Sequence, residues 1–101
     1  MLHKVKLADQ EKRLVRDIVE RVVPGAEFGV FGSRATGRAR PYSDLDLLLI
    51  RPNRLTWAQR ADLQDAFEAS DLPFCVDVVE ASTLAPAVAE RVYQEMVSMV
   101  T

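Results

Sequence analysis

The sequence has little cysteine and histidine, with one of each in 101 residues. A single cysteine, Cys75, excludes an internal disulfide, and one histidine beside it is too few for a Cys/His zinc site. Such cysteine usage is typical of a reducing compartment, so we expect the chain to be cytoplasmic. No apolar run approaches the roughly 20 residues of a membrane span, and the N-terminus lacks a signal-peptide core. We therefore expect no membrane association.

Glycine and proline are also scarce, with four and five residues, and we find no repeat or low-complexity segment. The hydrophobic share of 49% and the charged share of 28% are typical of a globular protein. The length suits a single domain that spans residues 1–101. The net charge of −2 argues against a general nucleic-acid-binding surface, because binding to phosphate backbones needs a basic face.

The spacing of apolar residues predicts helices and strands that alternate along the chain. The last predicted helix has a wide apolar face, which the sequence assigns either to the core or to a surface for a partner or a second copy of the chain. The order of elements predicts an α/β (α+β) fold, a small mixed β-sheet flanked by helices. The predicted helices are 9–22, 57–69 and 84–100, and the predicted strands are 26–32, 44–50 and 74–80.

Two carboxylates lie two residues apart on the second predicted strand. Asp44 and Asp46 therefore point to one face of the sheet, while Leu45, Leu47 and Leu49 fill the opposite face. Two neighbouring carboxylates repel each other unless a cation neutralises them, and hard oxygen ligands suit Mg²⁺ or Mn²⁺. The alternative is a solvated edge strand with alternating acids.

A third acid, Asp77, interrupts the apolar run of the third predicted strand. Alternation places it on the face opposite Val76 and Val78. If the strand 74–80 lies beside 44–50, three carboxylates converge on one patch. Such a patch is a ligand set for two divalent ions that act on a phosphoryl group. The alternative is a solvent-facing strand residue.

The turn before these acids has the residues that bind phosphate in proteins. Gly32 allows close backbone approach, and Ser33 offers a hydroxyl at the start of a short helical turn. Three arginines follow, Arg34, Arg38 and Arg40, of which Arg34 is our candidate for a phosphate contact. The alternatives are a plain turn glycine, a helix-capping serine and solvated loop charge. Together with the acidic pair, the turn predicts a nucleoside triphosphate site.

Gly32-Ser33, followed by ten residues and then Asp44-Leu45-Asp46, resembles the signature of the DNA polymerase β-like nucleotidyltransferase superfamily. The fuller string GSRATGRARPYSDLDLLL resembles its minimal nucleotidyltransferase branch. The resemblance covers nearly the whole chain, including the third acid. One departure is Thr36, where the commonest sequence of that branch has arginine.

The resemblance implies a role for each motif residue. Gly32 and Ser33 would hold the β- and γ-phosphates of ATP. Asp44 and Asp46 would ligate two Mg²⁺ ions, which Mn²⁺ can replace. Asp77 would complete the second metal site and help to deprotonate the acceptor hydroxyl before it attacks the α-phosphate.

The minimal branch also implies a partner. Many of its members resemble the antitoxin half of a two-gene system, in which AMP from ATP is added to a tyrosine of a helical HEPN ribonuclease toxin. Larger relatives have a helical domain that shapes the acceptor pocket; it is missing here, so a partner would hold the acceptor. The alternative is a non-catalytic antitoxin or nucleotide-binding module that acts by occluding its partner. Transfer to small molecules or to tRNA ends is a third interpretation.

Overall fold

The computed structural model describes Val5 and residues 7–99. No helix in this part of the chain is long and apolar enough to cross a membrane. The elements in chain order are α1 (Asp9–Val22), β1 (Glu27–Phe31), α2 (Ser33–Thr36), β2 (Leu45–Arg51), α3 (Trp57–Glu68), β3 (Val76–Glu80), a 3-10 turn (Ala81–Thr83), α4 (Pro86–Glu95) and β4 (Val97–Ser98).

The strands form one mixed sheet in the order β3-β2-β1-β4. β1 is antiparallel to both β2 and β4, whereas β2 and β3 are parallel. Parallel neighbours need a crossover connection, and α3 supplies it. The predicted fold class, a small mixed sheet flanked by helices, is confirmed.

One face of β2 anchors the core, as the sequence predicted. Leu45, Leu47 and Leu49 are at most 2% exposed, and they belong to one apolar cluster with Val15 of α1 and Leu63 of α3. Burial of each leucine side chain contributes about 1.5–3 kcal/mol, which fixes the register of the strand. Strand alternation then turns the side chain at position 46 to the other face.

The prediction of a long last helix over 84–100 was wrong. Proline occupies the first turn of α4, a favourable position, but the helix ends at Glu95. Met96 is extended, with φ −67° and ψ 139°, and Val97 pairs with Val30 of β1. Residues after Glu95 form hydrogen bonds with the free edge of β1 in place of further helical hydrogen bonds. The predicted continuous apolar face is therefore not formed. Val100, which the prediction placed on that face, lies outside the described residues.

Candidate active site

Asp46 and Asp77 are direct neighbours in the parallel pairing of β2 and β3. The second and third strands are therefore neighbours, which is the condition under which the sequence analysis expected the acids to converge. Asp44 lies one residue before β2 rather than within it, so its place depends on the preceding loop as well as on the sheet. Asp44 and Asp77 are exposed, and Asp46 is half-buried between them.

Burial and neighbouring negative charge raise the pKa of Asp46 above its ordinary value. Desolvation is the largest cause, followed by repulsion from Asp77, Asp44 and Glu95 in that order. Three further carboxylates thus lie close enough to Asp46 to repel its charge. A divalent cation there would relieve the repulsion.

Gly32 places the Gly32-Ser33 turn, the candidate phosphate-binding turn, next to these acids. It directly follows β1 and has φ 75° and ψ −153°, a conformation that only glycine adopts without strain. A Cβ at this position would collide with Oδ2 of Asp46. Two independent features therefore require glycine at position 32: the backbone angles, and the close approach of the Asp46 side chain. The two halves of the predicted site, Gly32-Ser33 and the acidic pair, are therefore side by side.

Arg34 braces the loop that precedes Asp44. It is 4% exposed, its Nε and Nη2 donate to the carbonyl of Ser43 at 3.0 and 2.8 Å, and Nη2 also donates to the carbonyl of Pro41 at 3.1 Å. Its guanidinium lies 4.0 Å from the ring centroid of Phe74, a cation–π contact. Sequence analysis missed this structural role. The predicted phosphate contact of Arg34 stays a prediction.

Glu95 is the site residue that sequence analysis missed. Its Oε1 accepts a hydrogen bond of 3.0 Å from the backbone N–H of Gly32. Its charge also contributes to the raised pKa of Asp46. No sequence motif marks Glu95, because the two partners are 63 residues apart and only the fold joins them.

The donor set fits a hard divalent cation, because every candidate ligand is a carboxylate oxygen beside a glycine that leaves room. The side chains as they stand do not complete a site. Within Val5 and 7–99, no group of three or more His, Cys, Asp or Glu side chains is arranged to hold a metal ion. The two-ion site predicted at Asp44, Asp46 and Asp77 therefore stays a prediction.

The sheet order, the Gly-Ser turn and the paired aspartates define a nucleotidyltransferase. Residues 12–99 match the Nucleotidyltransferase domain family, and the chain belongs to this family. It is also 39% identical, over 77 residues, to the Haemophilus influenzae protein named "Probable protein adenylyltransferase MntA". That match covers 76% of this chain and 68% of the relative. Nucleotidyltransferase activity follows from the family.

Two solved structures share the fold. One, described as a minimal nucleotidyltransferase, is 37% identical with a TM-score of 0.69, covering 87% of this chain and 88% of its own. The other is a crystal structure of a toxin–antitoxin with AMP-PNP, with a TM-score of 0.72 and 20% identity. It covers 88% of this chain and 72% of its own, and at that identity it shows the fold alone.

Proposed function

We propose that this protein transfers AMP from ATP to a hydroxyl of a macromolecular acceptor, a tyrosine of a helical HEPN-type toxin. The observation that carries the proposal is the contact of Gly32 with Asp46, beside Asp77 on the next strand. This contact places a phosphate-binding turn directly against a carboxylate cluster. ATP bound as its metal complex needs both at once.

Similarity to known proteins supports the acceptor class. The 39% identical relative carries the name of a protein adenylyltransferase. The toxin–antitoxin structure that shares the fold contains an ATP analogue. We carry both features over to this chain as parts of the proposal, with the cytoplasm as its compartment and residues 1–101 as one catalytic domain.

In the proposed reaction, Gly32 and Ser33 hold the β- and γ-phosphates. Asp44, Asp46 and Asp77 would hold two Mg²⁺ ions, with Mn²⁺ as a substitute. The ions, when bound, neutralise charge on the triphosphate. The chain's own contribution is positioning, since Gly32 and the paired strands fix the distance between the phosphates and the acids.

The bond changes are those of a phosphoryl displacement. The acceptor oxygen forms a bond to the α-phosphorus as the bond from that phosphorus to the bridging oxygen of the β-phosphate breaks. Pyrophosphate leaves with the electron pair. The carboxylate of Asp77, which is exposed at the edge strand β3, accepts the hydroxyl proton.

The test is a transfer assay with ATP labelled at the α-phosphate, Mg²⁺ and a candidate helical toxin. The wild type should label a tyrosine of the toxin and release pyrophosphate, and Asp46→Asn should not. Asp62→Asn, at an exposed position of α3, is the matched control and should label normally. If the folded wild type neither labels a toxin with which it forms a complex nor releases pyrophosphate, the proposal is wrong.

A second candidate function is neutralisation of the partner by occlusion, without transfer. One observation favours it: the described acids do not form a ready metal-holding group. Occlusion predicts that a variant with Asp44→Asn and Asp46→Asn still protects cells from the toxin. Loss of protection with the complex intact would exclude occlusion.

A further inference from the structure

We propose that Glu95 is a positioning residue, which fixes the Gly32-Ser33 turn for nucleotide binding through its hydrogen bond to the Gly32 amide. This inference rests on the proposed function of the turn. Glu95 Oε1 lies 3.0 Å from that backbone nitrogen, and the bond is partly buried. A carboxylate acceptor makes it one of the stronger hydrogen bonds that a backbone N–H can form.

The fold holds Glu95 in place from both sides. Glu95 is the last residue of α4, and the next residues turn at once into β4, which pairs with β1. Gly29 of β1 makes this close approach possible. A Cβ at Gly29 would lie 2.6 Å from Cγ and Sδ of Met96 and 2.8 Å from the carbonyl oxygen of Val97. The position of Glu95 is therefore set by β1, the strand that directly precedes Gly32.

The placement of a carboxylate beside Asp46 has an electrostatic cost. Glu95 adds to the repulsion on Asp46, and it would repel an incoming phosphate. A charge that is unfavourable for its neighbours needs a compensating interaction, and its described hydrogen bond is to the Gly32 amide. The hydrogen bond rather than the charge is thus the property that the turn needs. A glutamine, which keeps an accepting oxygen and removes the repulsion of phosphate, should weaken nucleotide binding less than an alanine does.

The first measurement detects the hydrogen bond directly. The chain has four glycines, so ¹⁵N-glycine labelling gives a simple amide spectrum of the full-length protein. Glu95→Ala should move the Gly32 amide proton upfield, and Glu95→Gln should move it less. Glu20→Gln is a matched control, because Glu20 accepts from the Gly25 amide at 3.1 and 3.3 Å away from the site. It should move the Gly25 signal alone.

The second measurement is binding of Mg²⁺–AMP-PNP by calorimetry, with steady-state kinetics beside it. Glu95→Ala should weaken binding about tenfold, the size expected for one lost charge-assisted hydrogen bond. The KM for ATP should rise by the same factor, while kcat changes less. Glu20→Gln should bind as the wild type does, and Glu95→Gln should bind more tightly than Glu95→Ala.

Three results would overturn the inference. If Glu95→Ala leaves the Gly32 signal unmoved, the hydrogen bond is absent in solution. If Glu95→Ala binds the analogue as tightly as the wild type or more tightly, Glu95 competes with phosphate instead of positioning the turn. If the folded wild type itself binds no nucleotide, the proposed function fails, and the role of Glu95 in it fails with it.

Discussion

Asp46 of β2 and Asp77 of β3 stand opposite each other across a parallel pair of strands. Neighbouring strands are about 4.8 Å apart, so two like charges face each other at close range on one edge of the sheet. No cation among the described side chains is paired with either of them in a salt bridge. The repulsion between the two carboxylates is thus not balanced by a described cation, and in the proposed reaction a bound divalent cation would relieve it.

Replacing Asp46 should separate stability from activity. Asp46→Asn should reduce transfer roughly a hundredfold or more, because a carboxylate that would hold the Mg²⁺ ions on the triphosphate is lost. In metal-free buffer the same variant should melt a few degrees higher than the wild type, since it no longer carries a repelled carboxylate. The transfer assay measures the loss of activity, and calorimetry with and without Mg²⁺ measures the change in stability. Mg²⁺ should raise the Tm of the wild type but not of the variant. A variant that melts lower than the wild type in chelator would contradict this.

The stability difference should depend on pH. Because the pKa of Asp46 is raised above 3.8, its contribution to stability is present below 3.8 and is lost as pH rises through the folded-state pKa. The advantage of Asp46→Asn should therefore be small in acid and grow toward neutral pH. Urea unfolding at a series of pH values measures it, with Asp62→Asn as the exposed control.

Gly32→Ala should destroy the site, whereas Gly25→Ala should only strain its turn. Both glycines have φ near 75°, and an alanine there costs about 1–2 kcal/mol. A Cβ at Gly25 meets nothing within 4 Å, but one at Gly32 collides with Asp46. We expect Gly32→Ala to lose more unfolding free energy than Gly25→Ala, because the collision adds to the backbone strain, and we expect loss of nucleotide binding in Gly32→Ala alone. Equal nucleotide affinity in the two variants would refute the contact.

Arg34→Lys should loosen the loop before Asp44 and cost about 2 kcal/mol of stability, because lysine cannot reproduce the forked hydrogen bonds and the ring contact. Limited proteolysis with trypsin measures the loosening. The loop offers cleavage after Arg38, while Arg40 precedes a proline that resists cleavage. Cleavage after Arg38 should be faster in Arg34→Lys than in the wild type or in Arg13→Lys, an exposed control on α1. If Arg34→Lys is cleaved after Arg38 at the same rate as the wild type, Arg34 does not hold this loop in place.

The ion pair of Arg60 with Glu80 should matter to stability, whereas the surface pair of Arg51 with Glu27 should not. Arg60 Nε lies 2.6 Å from Oε1 of Glu80, a carboxylate that is 7% exposed, whereas the Arg51–Glu27 pair is 3.7 Å apart and open to solvent. We expect Arg60→Gln to destabilise the fold, because it leaves a buried carboxylate without its cation. Arg51→Gln is the matched control and should have little effect on the free energy of unfolding in urea.

The effect of Arg60→Gln should also fade in acid. The hydrogen bond from Arg60 holds the pKa of Glu80 below 4.5, so this contribution to stability is present above 4.5 and is lost as pH falls through the lower folded-state pKa. Urea unfolding of the wild type and the variant should therefore give stabilities that converge at low pH. A difference that stays constant from neutral pH into acid would contradict the ion-pair explanation.

Much of the architecture could be predicted from local patterns. The leucines of β2 alternate with Asp46, and this alternation alone fixed which face is core and which carries the acid. Thr56 and Gln59 form a capping box at the start of α3, with hydrogen bonds of 3.0 Å in both directions. Such features depend on neighbours in the sequence, and for that reason they can be predicted without the fold.

The end of the last helix could not be predicted in this way. Apolar spacing continued past Glu95, but the free edge of β1 offered hydrogen bonds that helical periodicity cannot reveal. Arg34 was a similar case. Its sequence context suggested a phosphate contact, and its carbonyl partners and the ring of Phe74 became visible only in the folded chain.

The sequence by itself determined the residue types of the site, the spacing of Gly32-Ser33 from the aspartates and the faces of the strands, because each depends on covalent order and local geometry. The tertiary structure alone decided that Asp77 stands beside Asp46 and that Glu95 reaches the Gly32 amide. Those contacts join residues far apart in the chain, and only packing of the whole sheet brings them together.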